Sequence, residues 1–369
     1  GVFFMAFRDT LDFTKATEEF QLVGTTFPLT ISEPLAPGFG EISIQKDLTQ
    51  AYQIVTGAEI RLIDFISGTM SLEMQNNYHH RVYGTLTITS LKTDEMAYTR
   101  NFDLQVFSSN ISDTRPLDNY TLLLHDEGGD TYNTFMVTLD LTIKENLSSS
   151  NYSGNLDLNI NFNDPDYELI QGKVNKTLSI SDQTYQISAF NSTVFADQHF
   201  AQPQINFKFE NSYGLPIGID FTRFEVCSNN NVPFEISNEG MLGSGDLDLS
   251  GINMINFLQD YSEDVAITEL ELTKDNSNIE NAFDDAPSKL NFGADFTLGD
   301  ASHNRFIKRN SKVSFVSELL LPLYGWAKTH QIGDTLMDME WPDIKSDYDF
   351  INDDYSITLK FKVTNELPL

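Results

Sequence analysis

The sequence predicts an all-β protein built from tandem sandwich-like domains, and three observations support this fold class. Apolar and polar residues alternate with period two in many short segments, such as FMVTLDLTIK and GNLDLNINF. Clusters of Asn, Asp, Gly and Ser separate these segments, as turns between strands require. Aromatic residues make up 12% of the chain, with 28 Phe and 14 Tyr, and aromatic side chains favour strands.

Length and charge limit the classes of protein to which this chain can belong. Its 369 residues suggest two or three domains. The 54 acidic and 23 basic residues give a formal charge of −31, which repels phosphate backbones and anionic lipid. We therefore expect no nucleic-acid partner, whereas a basic protein partner would fit. The only cysteine is Cys227, so no internal disulfide can form.

The first residues, GVFFMAF, are apolar and are followed at once by Arg8 and Asp9. This stretch is too short to span a bilayer. It fits two interpretations, which the sequence leaves open: the end of a signal or anchor segment whose beginning is missing, or a first core strand. Contact with a membrane is therefore expected only indirectly or through this N-terminal segment.

We predict three domains, with an N-terminal β domain at 1–154, a middle β-sandwich at 155–240 and a C-terminal β domain at 241–369. One or two short helices are expected in the C-terminal third. The segment 252–261 (INMINFLQDY) could be one. The segment 277–285 (SNIENAFDD) is the other, because Ser277 followed three residues later by Glu280 forms a capping box.

Two segments of the chain align without a gap. Residues 205–221 read as a strand, a turn and a second strand, and five of the thirteen residues at 357–369 match its first part. We predict two strands joined by a turn at Ser212 to Pro216, on an exposed rim, with Phe207 and Phe209 on one face. Because the second copy stops at the turn, we expect the natural chain to continue beyond Leu369.

A looser repeat also appears, in which a strand ends at an Asn and the next begins at a Gly seven or eight residues later. It occurs at Asn77 to Gly84, Asn146 to Gly154 and Asn211 to Gly218. Asn and Gly suit strand ends because both tolerate left-handed backbone conformations. We interpret this as repetition of a two-strand unit, although convergent turn chemistry would produce the same pattern.

Catalytic and metal-binding signatures are missing from the sequence. It contains no nucleophile elbow, zinc-protease helix, Walker loop or dinucleotide-binding fingerprint. His79 and His80 are adjacent, so on a strand they would point to opposite faces and could not share one metal. Cys227 has no histidine near it in sequence and is expected to be an inert thiol. We therefore expect no enzyme activity, no catalytic residue, no metal and no cofactor.

Four acidic turns could attract calcium, but none has the spacing of an EF-hand loop. They are 125–133, 161–168, 243–251 and 346–356. With so many acids in the chain, clustered carboxylates are expected without any function. Trp326 and Trp341 could stack on sugars, although packing in a core or rim is the expected role of both.

Three segments in this order resemble a largely uncharacterised group of large β-rich cell-envelope proteins of Bacteroidota. They are PQINFKFENSYGLPIGIDF, AITELELTKDNSNIENAFDDAP and NRFIKRNSKVSFVSELLLPLYGWAKTHQIGDTL. The resemblance is best over residues 155–369 and includes no catalytic residue, so it carries over no site. It implies tandem β-sandwich or tubular lipid-binding-like modules behind a signal peptide. No lipoprotein cysteine lies near the start, which leaves the mode of anchoring open.

From these observations we expect a non-enzymatic exported protein of the periplasm or cell surface. We expect it to bind a protein partner as a periplasmic-side component of an outer-membrane secretion or transport assembly, for example as the plug of the type 9 secretion translocon. A lipid- or glycan-binding envelope module is the alternative. An apolar groove would favour lipid, an exposed Trp platform would favour glycan, and a large flat contact would favour protein.

Overall fold

The computed structural model describes residues 4–54, 57–125, 128, 131–187, 196–227, 232–238, 240–243, 246–262, 264–284, 287–322 and 325–329. The all-β prediction is confirmed, since strands dominate and the two helices are short. The helices are α1 Ala16–Glu19 and α2 Ile279–Ala282. The strands are β1 Phe4–Lys15, β2 Thr25–Ile31, β3 Glu41–Ala51, β4 Glu59–Asn76, β5 Arg81–Thr93, β6 Met96–Leu104, β7 Ser109–Pro116, β8 Thr121–Leu123, β9 Thr134–Lys144, β10 Leu156–Gln186, β11 Ala196–Phe200, β12 Gln204–Asn211, β13 Ile217–Cys227, β14 Pro233–Glu235, β15 Ile252–Ile255, β16 Ala266–Leu272, β17 Lys289–Lys308, β18 Lys312–Pro322 and β19 Gly325–Thr329.

Two β-sandwiches share these strands. In the first sandwich one sheet has the order β2-β10-β4-β7, with β10 contributing residues 156–162. The facing sheet has the order β3-β9-β5-β6, and the short β8 pairs with both β4 and β5. All of these pairings are antiparallel, so each strand presents one face to the core and the other to solvent.

The second sandwich repeats this arrangement. One sheet has the order β1-β18-β12-β16. The facing sheet runs from residues 174–186 of β10 through β17 to β13, and β14 and β15 pair with different parts of the outer side of β13. β14 and β15 therefore act as two pieces of one edge strand, separated by the loop 236–251.

The strand order in both sandwiches is that of a jelly roll. Numbered in chain order within each sandwich, the sheets read 1-8-3-6 and 2-7-4-5. The first strand of the second sandwich is β1, and its second strand is the end of β10. In the chain, the first sandwich is thus inserted between the first and the second strand of the second sandwich. Residues 4–15 forming β1 agree with the interpretation of the N-terminus as a first strand.

Aromatic side chains fill the space between the sheets. In the first sandwich the Phe27 ring meets the Phe135 ring of the facing sheet edge to face, with centroids 4.7 Å apart. In the second, Phe207 on β12 contacts Phe224 on β13 at 5.8 Å, while Phe315 stacks on Phe207 at 5.4 Å. Phe207 and Phe209 are both buried, as the alternation of residues 205–209 predicts.

In each sandwich, a buried asparagine stabilises the corner where the chain crosses from one sheet to the other. The Asn76 Oδ1 accepts the Tyr78 N–H at 2.9 Å, and its Nδ2 donates to the carbonyls of His80 and Gln105 at 2.8 and 2.6 Å. Thus one side chain satisfies three backbone groups that have no ladder partner at the corner.

Asn211, 135 residues further along, makes the same three bonds in the second sandwich. Its Oδ1 accepts the Tyr213 N–H at 2.9 Å, and its Nδ2 donates to the carbonyls of Leu215 and Asn256 at 3.3 and 3.0 Å. The repeat of the two-strand unit is therefore present at these two corners. The equivalent residue is Asn76, however, and not Asn77 as the sequence alignment had it.

The third predicted copy differs from these two corners. Asn146 lies between β9 and β10, where the chain crosses between the sheets in the opposite direction. Its Oδ1 accepts the Ser148 N–H, as in an Asx turn, but its Nδ2 donates to His79 on another loop. The shared pattern at this site is therefore turn chemistry and not the same corner.

Four local predictions were wrong. Residues 252–255 form β15 and not a helix, because they complete the edge of a sheet beside β13. The helix α2 exists, but Asn278 is its N-cap and makes no side-chain cap hydrogen bond. The turn with Pro216 is buried and not an exposed rim, since Phe306 packs on Gly214. The acidic segment 161–168 is part of β10 and not a turn.

The sheets do not follow the three predicted domains. β10 lies in the predicted middle segment but pairs with β2 and β4 of the N-terminal segment and with β17 of the C-terminal segment, and β1 pairs with β18 from the C-terminal segment. Residues 1–330 form one compact unit. Whether any of the three segments folds alone stays a prediction. The repeat at 357–369 and the acidic turn at 346–356 lie outside the described residues.

We predict that Asn211→Leu destabilises the protein by about 3–5 kcal/mol, since two buried backbone groups and one partly buried backbone group lose their partner. Chemical denaturation monitored by tryptophan or tyrosine fluorescence measures this change. Asn110→Leu, at an exposed strand position, is the matched control and should change the free energy of unfolding by less than about 0.5 kcal/mol. Equal effects of the two substitutions would contradict the role assigned to the corner.

Candidate functional site

Because the two sandwiches share one strand order and one corner, their surfaces can be compared position by position. The comparison finds a set of exposed aliphatic side chains on the second sandwich, which we call the edge patch. Ile252 and Met254 on β15 are 64% and 61% exposed, and Val265 and Ile267 at the start of β16 are 46% and 45% exposed.

The edge patch lies where the two sheets of the second sandwich end. β15 pairs only with β13, and β16 pairs only with β12, among the described residues. The Asn256 backbone N–H donates to the Thr268 Oγ1 at 2.7 Å, and the Asn256 Nδ2 donates to the Ile267 carbonyl at 2.8 Å. These bonds join the end of β15 to the start of β16, so the two exposed pairs of side chains lie on neighbouring edge strands.

The same positions in the first sandwich are polar. We matched positions by counting strand register from the corner asparagines Asn76 and Asn211. By this count Asn101 and Asp103 of β6 are equivalent to Ile252 and Met254. Asn110 of β7 is equivalent to Ile267. Asp103 there accepts a two-point ion pair from Arg81. Solvent-exposed edges are normally protected by such charges. The second sandwich has lost this protection at its edge.

Gly218 shows that the apolar residues are fitted to their place. A Cβ atom on Gly218 would lie 2.8 Å from the Ile252 side chain and 3.4 Å from the Met254 sulfur. The two side chains therefore lie across the backbone of β13, where any larger residue would displace them. The exposed part of Ile252 and Met254 therefore covers Gly218 at the edge of the sheet.

A polar groove of about 630 Å³ lies on the outer face of the β1-β18-β12-β16 sheet. Gln204 Nε2 donates to Glu271 at 2.9 Å and to the Asn206 side chain at 2.6 Å, and Asn206 donates to Glu318 at 3.4 Å. This amide and carboxylate network could bond polar ligands such as sugars. The described residues of its wall expose no aromatic ring for a sugar to stack on, so the groove does not favour the glycan alternative.

The glycan alternative also depended on an exposed platform at Trp326 or Trp341, and it stays a prediction at both residues. Trp326 lies on β19, whose backbone pairs Trp326 with His199, and its side chain is outside the described part of the structure. Trp341 also lies outside the described residues.

His79 and His80 have separate structural surroundings. The His79 ring stacks on Phe107 with centroids 4.5 Å apart. His80 is buried, its Nδ1 accepts the Asn146 backbone N–H at 3.1 Å, and burial lowers its pKa. No group of three or more His, Cys, Asp or Glu side chains able to hold a metal ion is found among the described residues.

A cluster that the sequence analysis did not single out contains Asp300, Ser302 and His303. The Ser302 Oγ donates to Asp300 at 2.6 Å, and both Ser302 Oγ and Asp300 Oδ1 lie within 3.0 Å of the same His303 nitrogen, Nδ1. A catalytic triad needs the histidine to contact its two partners through different nitrogens. The cluster is an exposed turn within β17, where the Ser302 hydroxyl and backbone hold the pKa of Asp300 below its usual range.

Cys227 is buried, and its Sγ lies 3.2 Å from the Asn291 Nδ2 and 3.7 Å from a Glu225 carboxylate oxygen. Burial and the nearby Glu225 carboxylate raise the pKa of the thiol. A raised pKa decreases the thiolate fraction, so this environment disfavours a nucleophilic role.

Comparisons with known proteins leave the family of this chain open. No protein-family model matches it, and no curated protein matches it. Among solved structures, a Parabacteroides distasonis protein described as secreted is 12% identical, with a TM-score of 0.30 over 86% of this chain and 99% of that chain.

Two viral structures give weaker likenesses. The empty particle of cowpea mosaic virus is 11% identical, with a TM-score of 0.20 over 85% of this chain and 91% of that chain. The major capsid protein P2 of bacteriophage PM2 is 7% identical, with a TM-score of 0.16 over 83% and 99%. Identities and TM-scores this low carry no argument about the source or activity of this chain.

In the described residues, neither helix is long or apolar enough to cross a membrane.

We predict that a calcium chelator leaves thermal unfolding unchanged, because no described acidic segment has calcium-ligand spacing. Differential scanning calorimetry with and without EDTA measures this. A decrease of about 10 °C, the size expected when a domain loses a few kcal/mol of ligand stabilisation, would show that a structural ion exists.

We predict an acid-dependent stability at the Glu145 carboxylate. It accepts the Gly40 and Gly38 backbone N–H groups at 2.9 and 2.8 Å, and these bonds lower its pKa. A carboxyl whose pKa is lower in the folded state stabilises the protein above its unfolded pKa, about 4.3, and this contribution disappears as the pH falls through the folded pKa.

Glu145→Gln should therefore be less stable than the wild type at pH 7, and the difference should shrink as the pH is lowered from about 5 towards 2. Urea unfolding at several pH values measures this. Glu73→Gln, at an exposed position of β4, is the control. A Glu145→Gln difference that is constant with pH would contradict the assignment.

Proposed function

We propose that this chain is a non-enzymatic exported protein of the cell envelope that binds another protein, as a periplasmic-side component of an outer-membrane secretion or transport assembly. The observation that carries this proposal is the edge patch. Four aliphatic side chains lie exposed on or beside the two edge strands of the second sandwich, at or beside positions that are polar in the first.

An exposed aliphatic surface has a free-energy cost in water that a bound partner removes. Burying one aliphatic side chain contributes about 1.5–3 kcal/mol. Exposed apolar patches beside polar surface mark protein contacts in soluble proteins. Here the patch also lies on the outer edges of β15 and β16, which pair with no further strand among the described residues, so a partner could add a strand there while it covers the side chains.

The charge of the chain indicates the character of that partner. A formal charge of −31 repels acidic surfaces at long range and attracts basic ones. We therefore expect a partner with an aliphatic centre to its contact surface and a basic rim. The type 9 secretion translocon is the assembly in which we would look for it first.

The test exchanges the edge of one sandwich for that of the other. The double variant Ile252→Asn and Met254→Asp gives the second sandwich the polar residues that the first has at these positions. The protein and its variants are cross-linked in membranes of the source organism, purified, and analysed by mass spectrometry. We expect the wild type to capture an outer-membrane protein and the double variant to lose at least about tenfold in affinity for it.

Met96→Asp is the control, because Met96 is 66% exposed on the first sandwich, away from the edge patch. This variant should capture the same partner as the wild type. Thermal unfolding should show that both variants are folded. Undiminished capture by the double variant, or no specific partner of the wild type, would contradict the proposal.

A further inference from the structure

The corner of the first sandwich contains a buried titratable residue where the second sandwich has a leucine. The Asn76 Nδ2 donates to the His80 carbonyl at 2.8 Å, and the Asn211 Nδ2 donates to the Leu215 carbonyl at 3.3 Å. His80 and Leu215 therefore occupy the same position, and both are fully buried. Since the fold accepts leucine here, the imidazole is not a requirement of the corner.

The imidazole of His80 connects the corner to the loop that follows β9. Its Nδ1 accepts the Asn146 backbone N–H at 3.1 Å, and the Asn146 Nδ2 donates to the His79 carbonyl at 3.3 Å. A ring nitrogen that accepts an N–H carries no proton, so the neutral ring has its proton on Nε2. Nε2 is buried and has no hydrogen-bond partner among the described residues. The bond to Asn146 thus depends on the neutral form of the ring.

Two aromatic rings enclose this imidazole. Phe39, in the loop before β3, meets it edge to face with centroids 5.1 Å apart, and Tyr152, in the loop after β9, lies at 5.2 Å. The Tyr152 hydroxyl donates to Glu145 at 3.2 Å, and Glu145 also accepts two backbone N–H groups of the loop before β3. The loops before β3, before β5 and after β9 therefore meet at His80.

The groups around His80 act on its charge in both directions. Burial lowers the pKa of His80, the Glu145 carboxylate and the Asn151 backbone raise it, and His79 lowers it further. Tyr152 is the other titratable neighbour, and the loop before β3 contributes an uncharged ring. The net result is a pKa below the ordinary value of histidine.

We propose that His80 is a pH-sensitive latch for the loop at 145–155, between β9 and β10. When Nδ1 takes up a proton, N–H donors face each other at His80 and Asn146, and the bond that holds the loop is lost. The imidazolium is then buried without water, so opening of the loop is favoured because it hydrates the charge. The latch belongs to the first sandwich and does not depend on the edge patch or on the protein partner proposed above.

The latch should open on acidification. A histidine whose pKa is lower in the closed loop than in the open loop stabilises the closed form above the open-state pKa, about 6.5. This contribution is lost as the pH falls from about 6.5 towards the pKa of the closed form, and the ratio of open to closed loops rises by up to about tenfold per pH unit. The effect of Glu145 predicted above belongs to a separate range, below about pH 4.3.

Hydrogen exchange of the full chain, measured by mass spectrometry at about pH 7.5 and about pH 5.5, tests the latch. Each rate is divided by the intrinsic exchange rate at that pH. We expect the protection of residues 145–155 to fall by up to about tenfold at the lower pH. Peptides that cover the second corner, at 211–217, contain Leu215 at the equivalent position and should keep their protection.

Two substitutions separate protonation from packing. His80→Asn keeps an acceptor oxygen near the place of Nδ1 but cannot take up a proton in this range, so the protection of the loop should be the same at both pH values. His80→Leu installs the residue of the second sandwich and removes the acceptor, so the loop should exchange rapidly at both. His79→Asn is the matched control and should respond to pH as the wild type does.

Nitrogen-15 chemical shifts of histidine-labelled wild-type protein give an independent measurement. They should show the neutral ring protonated on Nε2 and a pKa of His80 below about 6.5. Three results would overturn the proposal: loop protection in the wild type that does not change with pH, a pH response of His80→Asn as large as that of the wild type, and a pKa of His80 at or above the ordinary value. The chemical shifts decide even if a variant does not fold.

Discussion

The interaction on which the rest of this structure depends is the bonding of a buried asparagine at the corner between two sheets. A chain that leaves one sheet for the facing one carries backbone groups that no ladder can satisfy, and burying them unpaired would destabilise the fold. The amide of Asn76 or Asn211 presents a donor and an acceptor, as a peptide group does, and bonds three such groups. The direction of crossing is thereby set, and with it the face of the next strand that points to the core.

The two sandwiches use this corner in the same way but differ in what surrounds it. The first sandwich has polar residues at 101, 103 and 110 of its edge strands. The second has exposed Ile252, Met254 and Ile267 at the matching positions. Since the fold is common to both, these differences cannot be requirements of the fold. The surface that we propose for partner binding therefore lies on the second sandwich.

Insertion of the first sandwich between β1 and the rest of the second also has a physical consequence. β1 joins β18 across about 300 residues of chain, so closing this pairing costs more conformational entropy than pairing strands that are near in the sequence.

The sequence by itself determined the strands, their core faces and the turn after Asn211, because alternation and turn chemistry act between neighbouring residues. It placed Phe207 and Phe209 in a core correctly. It failed at β15, which was predicted as helix because the apolar residues of this four-residue strand also match helical spacing. It also failed at the first corner, where Asn77 was chosen instead of Asn76. The two residues differ in burial, which the sequence does not show. Only the tertiary structure decided which strands are neighbours, because every strand of this chain carries a similar alternation and pairing is a non-local choice. The edge patch depends on that choice, since Ile252 is exposed because β15 lies at the edge of its sheet, paired only with β13 among the described residues.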